Sequence, residues 1–353
     1  MSKVLMKGNE AIGAAAIAAG CKYFFGYPIT PQSELPEYMS ARLPKIGGVY
    51  LQAESEVAAI NMVYGAAGTG KRVMTSSSSP GIALKQEGIS YIAGAELPCV
   101  IVNMVRGGPG LGSIQPAQSD YNQATRGGGD GDYKLLVYAP GNIQEMVDLV
   151  QLAFDKADYY RNPVMILGDG MMGQMMEPVE FKEMPKMDLP AKDWATTGTQ
   201  EKRKPNVINS LYLAAEELEQ HNIHLQTKYQ EMIDKEIMFE EYNMEGAELV
   251  IVAYGTTARI SKAAVDLLQA QGIHVGLIRP ITVWPFPYQA IKDLPESAKN
   301  ILCVEMSMGQ MIDDVRIGNE GQRPIHFVGR SGGMIPTPQL VIDKVKEILN
   351  GGK

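Results

Sequence analysis

Three clusters in this chain carry residue types suited to chemistry: Tyr27-Pro28-Ile29-Thr30-Pro31, Glu54-Ser-Glu56-Val-Ala-Ala59, and Arg106 with the glycines that follow it. Pro28 and Pro31 fix φ at two points of the first cluster and drive the residue before each towards extended backbone, so the Thr30 hydroxyl is presented in one direction. Glu56 opens an apolar pattern through Val57, Ala59, Ile60 and Val63 at helical spacing, which puts an acid in the first turn of a half-buried helix. An acid so placed suits proton exchange with a cofactor; a Pro-rich turn before an ordinary helix start is the simpler alternative. Glu54 competes locally for the same role. Arg106 ends an apolar strand, Pro98 to Val105, at the sheet edge where ligands of parallel α/β folds gather, and a glycine-rich loop runs on to Gly131. Anion binding and a surface salt bridge both fit that position.

Other motifs are weaker. Thr75-Ser-Ser-Ser-Ser79-Pro80-Gly81 lies between a strand and a helix expected over 82–93, clustering hydroxyls and amides at a helix start; a serine turn is the plain reading. Gly65-Ala-Ala-Gly-Thr-Gly-Lys71 lacks the Ser or Thr of a phosphate loop and closes a helix instead of opening one, so it reads as a C-terminal cap. Gly168-Asp-Gly170 is half of a magnesium-diphosphate motif without its later asparagines, and Gly107-Gly-Pro-Gly-Leu-Gly112 lacks dinucleotide spacing. All four histidines, 221, 224, 274 and 326, lie beyond residue 220, so the first half of the chain has no imidazole base and favours a cofactor that brings its own proton-transfer group. His221 and His224 read as a solvated helix face.

The elements that position these residues alternate. Short apolar runs at 72–75, 98–103, 134–138 and 163–167 fit strands buried on both faces, and the helical pattern over 144–159 fits a crossover between them, giving βαβ units and a largely parallel sheet. Prolines 185, 190 and 205 mark a linker, after which Leu211, Leu218, Leu225 and Met232 recur every seven residues in a long helix suited to a domain or subunit surface. A second α/β unit opens at Glu248-Leu-Val-Ile-Val-Ala-Tyr254, continues through a Gly255-Thr-Thr turn and helix to about 271, and adds strands at 273–278 and 301–304. The division expected is 1–181, 182–245 and 246–353.

Composition sets bounds. A net charge of −8 across 353 residues, with no basic segment, argues against a nucleic-acid partner. Cys21, Cys99 and Cys303 lie far apart without a C-x-x-C pair, so no metal ligand set is expected in this chain; they read as free thiols of a reduced, cytoplasmic protein. The 11–20 run of small apolar residues, broken upstream by Gly8, Asn9 and Glu10, does not read as a signal peptide, and no stretch is long enough for a membrane span.

Taken in order and spacing, Gly26-Tyr27-Pro28-Ile29-Thr30-Pro31, Glu54-Ser-Glu56-x-Ala-Ala59, Thr75-Ser-x-x-x-Pro80-Gly81 and Arg106-Gly-Gly-Pro109 resemble the α subunit of the 2-oxoacid:ferredoxin oxidoreductases over nearly the whole chain. Within that family the nearest resemblance is to the branched-chain type acting on 2-oxoisovalerate (3-methyl-2-oxobutanoate), with the 2-oxoglutarate type second. The resemblance implies a thiamine-diphosphate-enzyme pyrimidine-binding domain followed by a transketolase C-terminal-like α/β domain. It implies oxidative decarboxylation of a 2-oxoacid to an acyl-CoA, with an iron-sulfur protein as acceptor (EC 1.2.7 type). Glu56 would hydrogen-bond the pyrimidine, Tyr27, Pro28, Ile29, Ser79, Pro80 and Gly81 would line the cofactor, and Thr30 and Arg106 would bind the substrate carboxylate. A β subunit would hold Mg2+ and the diphosphate; γ and ferredoxin-like δ subunits would carry the iron-sulfur clusters on the way to ferredoxin, and coenzyme A would take the acyl group. The serine run at 76–79 exceeds the family pattern, and no residue can be assigned to coenzyme A. A structural scaffold with its chemistry elsewhere, or a two-component dehydrogenase β chain serving lipoamide, are the competing expectations.

Overall fold

The computed structural model describes residues 3–182 and 184–351. A seven-stranded sheet has the spatial order Thr282–Trp284, Leu136–Tyr138, Pro163–Asp169, Cys99–Val105, Val73–Ser77, Tyr23–Gly26 and Val49–Gln52, parallel except at the first pair. Its central strands are buried at every position because both faces are covered. Helices Glu56–Gly68 and Ser79–Gly94 cover one face through Ile60, Val63, Ile82 and Ile89. Helices Gly8–Ala18 and Ile143–Tyr160 cover the other through Ala11, Ile12, Met146 and Val150. Each fully buried aliphatic side chain contributes roughly 1.5–3 kcal/mol relative to exposure.

Helices 56–68 and 79–94 approach unusually closely, and two glycines set the distance. A Cβ at Gly88 would stand 2.5 Å from Ile60 Cγ2, and one at Gly81 would stand 2.6 Å from a Glu56 oxygen and 2.1 Å from Ser77 Oγ. Larger residues at either place would push the Glu56 helix off its neighbour.

A second sheet of five strands runs Ile325–Gly329, Asn300–Glu305, Leu249–Val252, Val275–Pro280 and Phe239–Tyr242, the last pairing antiparallel. Helices Gly255–Gln269 and Pro338–Leu349 pack on one face of it around Leu268, Val341 and Val345. The long helix spans Ala215–Lys235 and buries Leu225, Tyr229 and Met232 beside Tyr160. Leu211 precedes that helix and is exposed, as Leu218 largely is, so the seven-residue repeat serves packing only over its second half. No helix among the described residues is long and apolar enough to cross a membrane.

Candidate functional site

The turn after strand Tyr23–Gly26 is pinned from three sides. Buried Gln32 accepts a hydrogen bond from Ser76 on the neighbouring strand. Asn9 donates to the Pro31 carbonyl at 2.8 Å and Gln174 donates to it at 3.3 Å. Tyr27, Pro28 and Thr30 are left exposed and Ile29 half-buried, a rigid lip with its side chains free.

Ser55 caps the next helix by accepting from the Ala58 amide at 3.1 Å, which places Glu56 at the first helical position. Glu56 is 6% exposed and none of the described residues donates a hydrogen bond to its carboxylate. Glu54 is exposed, so burial separates the two acids that spacing left in competition. The carboxylate lies against Gly81 and Ser77 at the start of helix Ser79–Gly94. That helix begins earlier than the sequence pattern indicates, and the strand before it runs through Ser77, so the serine run is shared between strand, cap and helix and is not a loose turn. Ser77 Oγ and Ser78 Oγ are buried without a partner.

Arg106 closes the other side. Its Nη1 donates to the Thr30 carbonyl at 3.0 Å and its Nη2 to the Leu111 carbonyl at 3.1 Å, while Nε is buried with no acceptor. Ser79 holds the Arg106 backbone, accepting from its amide at 3.1 Å and donating to its carbonyl at 3.2 Å. The fold therefore brings together Thr30, Ser79 and Arg106, with Glu56 reached through Gly81 at the same strand edge. The salt-bridge alternative for Arg106 does not hold, because its guanidinium meets only carbonyls.

Sequence reasoning passed over several neighbours. Asn103 accepts from the Ser79 amide and donates to Asp120, whose carboxyl is pushed up by burial. Lys85 is fully buried below Glu56, and its amine falls to about 7, chiefly through desolvation. Its signal was visible as the single charge on the apolar stripe Ile82, Lys85, Ile89. Asp169 of the Gly-Asp-Gly segment caps helix Gly170–Gln174, accepting from Met171 and Met172, and accepts from Thr256 of the second α/β unit at 2.5 Å. His221 is not a solvated residue: its Nε2 lies 2.7 Å from the Gly94 carbonyl and its ring stacks on Tyr212. All three cysteines are buried and unpaired.

A buried acid without a donor, two orphan hydroxyls, a free guanidinium nitrogen and a glycine that brings a helix start against the acid suit a polar heterocycle together with an anionic substrate. Above a parallel-sheet edge and beside a second α/β unit, this arrangement is of the kind a cofactor-dependent enzyme uses. Residues 14–243 match the family described as pyruvate flavodoxin/ferredoxin oxidoreductase, thiamine diphosphate-binding, and 247–341 match pyruvate:ferredoxin oxidoreductase core domain II. The chain is 50% identical over 348 residues, covering 99% of itself and 98% of the relative, to ketoisovalerate oxidoreductase subunit VorB of Methanothermobacter marburgensis. It is 34% identical to 2-oxoglutarate synthase subunit KorA of Methanocaldococcus jannaschii, covering 96% and 98%. A solved structure of 2-oxoglutarate:ferredoxin oxidoreductase from Magnetococcus marinus, with 2-oxoglutarate, coenzyme A and succinyl-CoA bound, superposes with TM-score 0.87 at 27% identity, over 98% of this chain and 65% of that one. A split-gene transketolase shares the fold, with TM-score 0.61 at 14% identity over 99% of each chain. The chain belongs to the 2-oxoacid:ferredoxin oxidoreductase family.

Proposed function

We propose that this chain is the α subunit of an enzyme that oxidatively decarboxylates a branched-chain 2-oxoacid, 3-methyl-2-oxobutanoate, to its acyl-CoA and passes the electrons to ferredoxin. The observation that carries the reading is the buried Glu56 carboxylate, without a protein donor and facing Gly81 and Ser77 beside Arg106. The VorB relative supports the branched-chain substrate over 2-oxoglutarate by its higher identity.

Thiamine diphosphate, when bound, supplies the carbon nucleophile and the electron sink that decarboxylation of a 2-oxoacid requires. Glu56 would exchange a proton with the pyrimidine ring nitrogen, its carboxylate shielded from water and from competing donors so that the ring is its partner. Tyr27, Pro28 and Ile29 on the lip and Ser79, Pro80 and Gly81 at the helix start would hold the cofactor. Arg106 offers Nε to the substrate carboxylate while its two Nη atoms stay on backbone carbonyls, so the guanidinium is held in place before substrate arrives. The Thr30 hydroxyl is free to join it.

Asp169 is committed to a helix cap and to Thr256, which supports leaving Mg2+ and the diphosphate to a β subunit. Iron-sulfur clusters are assigned to partner γ and δ subunits, consistent with three separate buried thiols here. We keep 1–181, 182–245 and 246–353 as the working units, with strand Thr282–Trp284 reaching back into the first sheet.

The test is Glu56→Gln in the assembled complex, with 3-methyl-2-oxobutanoate, 2-oxoglutarate and pyruvate as substrates and ferredoxin or viologen as acceptor. Turnover of the branched-chain acid is expected to fall at least ~100-fold. Turnover near wild type would exclude Glu56 from the chemistry, and a preference for 2-oxoglutarate in the unmodified enzyme would correct the substrate.

A further inference from the structure

Below the carboxylate lies a group that the reaction as described does not use. Lys85, in the second turn of helix Ser79–Gly94, is fully buried, and its ammonium is matched by no carboxylate in direct contact. Its Nζ donates to Thr75 Oγ1 at 2.6 Å and reaches the Ser76 carbonyl at 3.5 Å. Lysine is almost never fully buried without a partner, since removing its charge from water costs several kcal/mol, about the scale of a domain's whole stability. The groups that face it can be named element by element. Helix Glu56–Gly68 contributes Glu56, whose charge favours the ammonium; strand Cys99–Val105 contributes Cys99, whose thiol burial pushes up to about 12 and so keeps neutral; strand Val73–Ser77 contributes only the Thr75 hydroxyl and Ser76 carbonyl. On its own helix, Glu87 is exposed.

We propose that Lys85 is a positioning residue for Glu56: anchored to strand Val73–Ser77 beneath the site, its charge steadies the ionised carboxylate that faces the cofactor ring. This rests on the reading of Glu56 given above. Geometry gives the coupling its reach. Lys85 stands one helical turn beyond Gly81, whose Cβ position meets the Glu56 carboxylate, and its Nζ reaches the Ser76 carbonyl next to Ser77, which packs against the same glycine, so amine and carboxylate lie on one buried side of the helix, where charges interact more strongly than at a surface. Burial lowers the amine to about 7, which lets its charge, and with it the support for Glu56, change across neutral pH.

The experiment titrates the full chain labelled with 13C at the lysine ε carbon, without thiamine diphosphate. The signal lost in Lys85→Met identifies this residue. Its midpoint is expected well below that of the other lysines and roughly one pH unit lower again in Glu56→Gln, because removing the carboxylate removes the charge that favours the ammonium. A midpoint that ignores Glu56→Gln, or a signal that titrates with the exposed lysines, overturns the proposal. In the assembled complex, Lys85→Met is expected to lower kcat roughly tenfold with KM for the 2-oxoacid unchanged, since the carboxylate facing the ring loses the charge beside it. A purely structural lysine would alter stability and leave kcat in place. Stability has its own sign: the folded chain releases this proton near 7 and the unfolded chain holds it to about 10.5, so wild type gains on Lys85→Met as pH rises through that window. Failure of Glu56→Gln to reduce turnover would remove the catalytic reading and leave this titration standing. A static Lys85 signal would do the reverse.

Discussion

Two sets of buried polar groups sit at strand ends of the same seven-stranded sheet, and they are treated in opposite ways. Where the sheet meets the second α/β unit, every named group is answered. Gln118 donates to the Tyr254 carbonyl at 2.8 Å and accepts from Thr257 and the Met306 amide, Asp169 accepts from Thr256, and Asp314 accepts from Tyr121, Tyr288 and Arg126. Around Glu56, Ser77, Ser78 and the Arg106 Nε, the partners are missing. Burial is common to both, so burial does not mark the site. Single unanswered atoms occur elsewhere, Ser119 Oγ and Asn122 Oδ1 among them; what marks the site is their gathering around a buried acid at one strand edge, because each costs about 1–3 kcal/mol until something else supplies the bond.

The contrast yields predictions of decreasing size. Glu56→Gln, with the loss of turnover given above, is expected to leave the thermal midpoint unchanged. Gln118→Ala should do the opposite: three side-chain hydrogen bonds disappear from the seam, costing roughly 2–4 kcal/mol in denaturant unfolding, with KM for the 2-oxoacid unaltered. Equal effects of the two variants on stability would erase the distinction. Arg106→Ala is expected to raise KM roughly ten- to a hundred-fold in steady-state assays, from about 1.5–3 kcal/mol for a bond to a charged group. A scaffold without a substrate site would keep KM constant. Ser77→Ala should stabilise the cofactor-free chain by about 1 kcal/mol, since it removes a buried hydroxyl without a partner, and should weaken thiamine diphosphate binding in the complex; a stability loss would mean that the hydroxyl is answered after all.

Much of the architecture was legible because apolar runs and helical periodicity are local signals. The strands at 99–105 and 163–169 and the helix at 143–160 fall close to where hydrophobic pattern puts them. Strand Thr282–Trp284 was not legible: it joins the first sheet through a long-range antiparallel pair beside Leu136–Tyr138 that no local pattern encodes. At the site, Glu56 and Arg106 could be picked out because an acid at a helix start and an arginine at a strand end stand out in sequence. What orients them could not. Gln32 and Asn9 pin the Pro31 turn through contacts across 44 and 22 positions, and amide side chains carry no sequence signature for such roles. Motif resemblance alone points to Gly81 in the sequence, and only the packed structure gives its reason, which is the Glu56 oxygen that a side chain would strike.

What the Glu56 carboxylate faces decides whether this chain takes part in the chemistry. The most direct measurement is a high-resolution map of the assembled complex with thiamine diphosphate and without substrate. A pyrimidine ring nitrogen is expected within about 2.6–3.2 Å of a Glu56 oxygen, near Gly81 and Ser77. A ring whose nitrogens are all paired with other side chains, leaving Glu56 against solvent or protein alone, would contradict it.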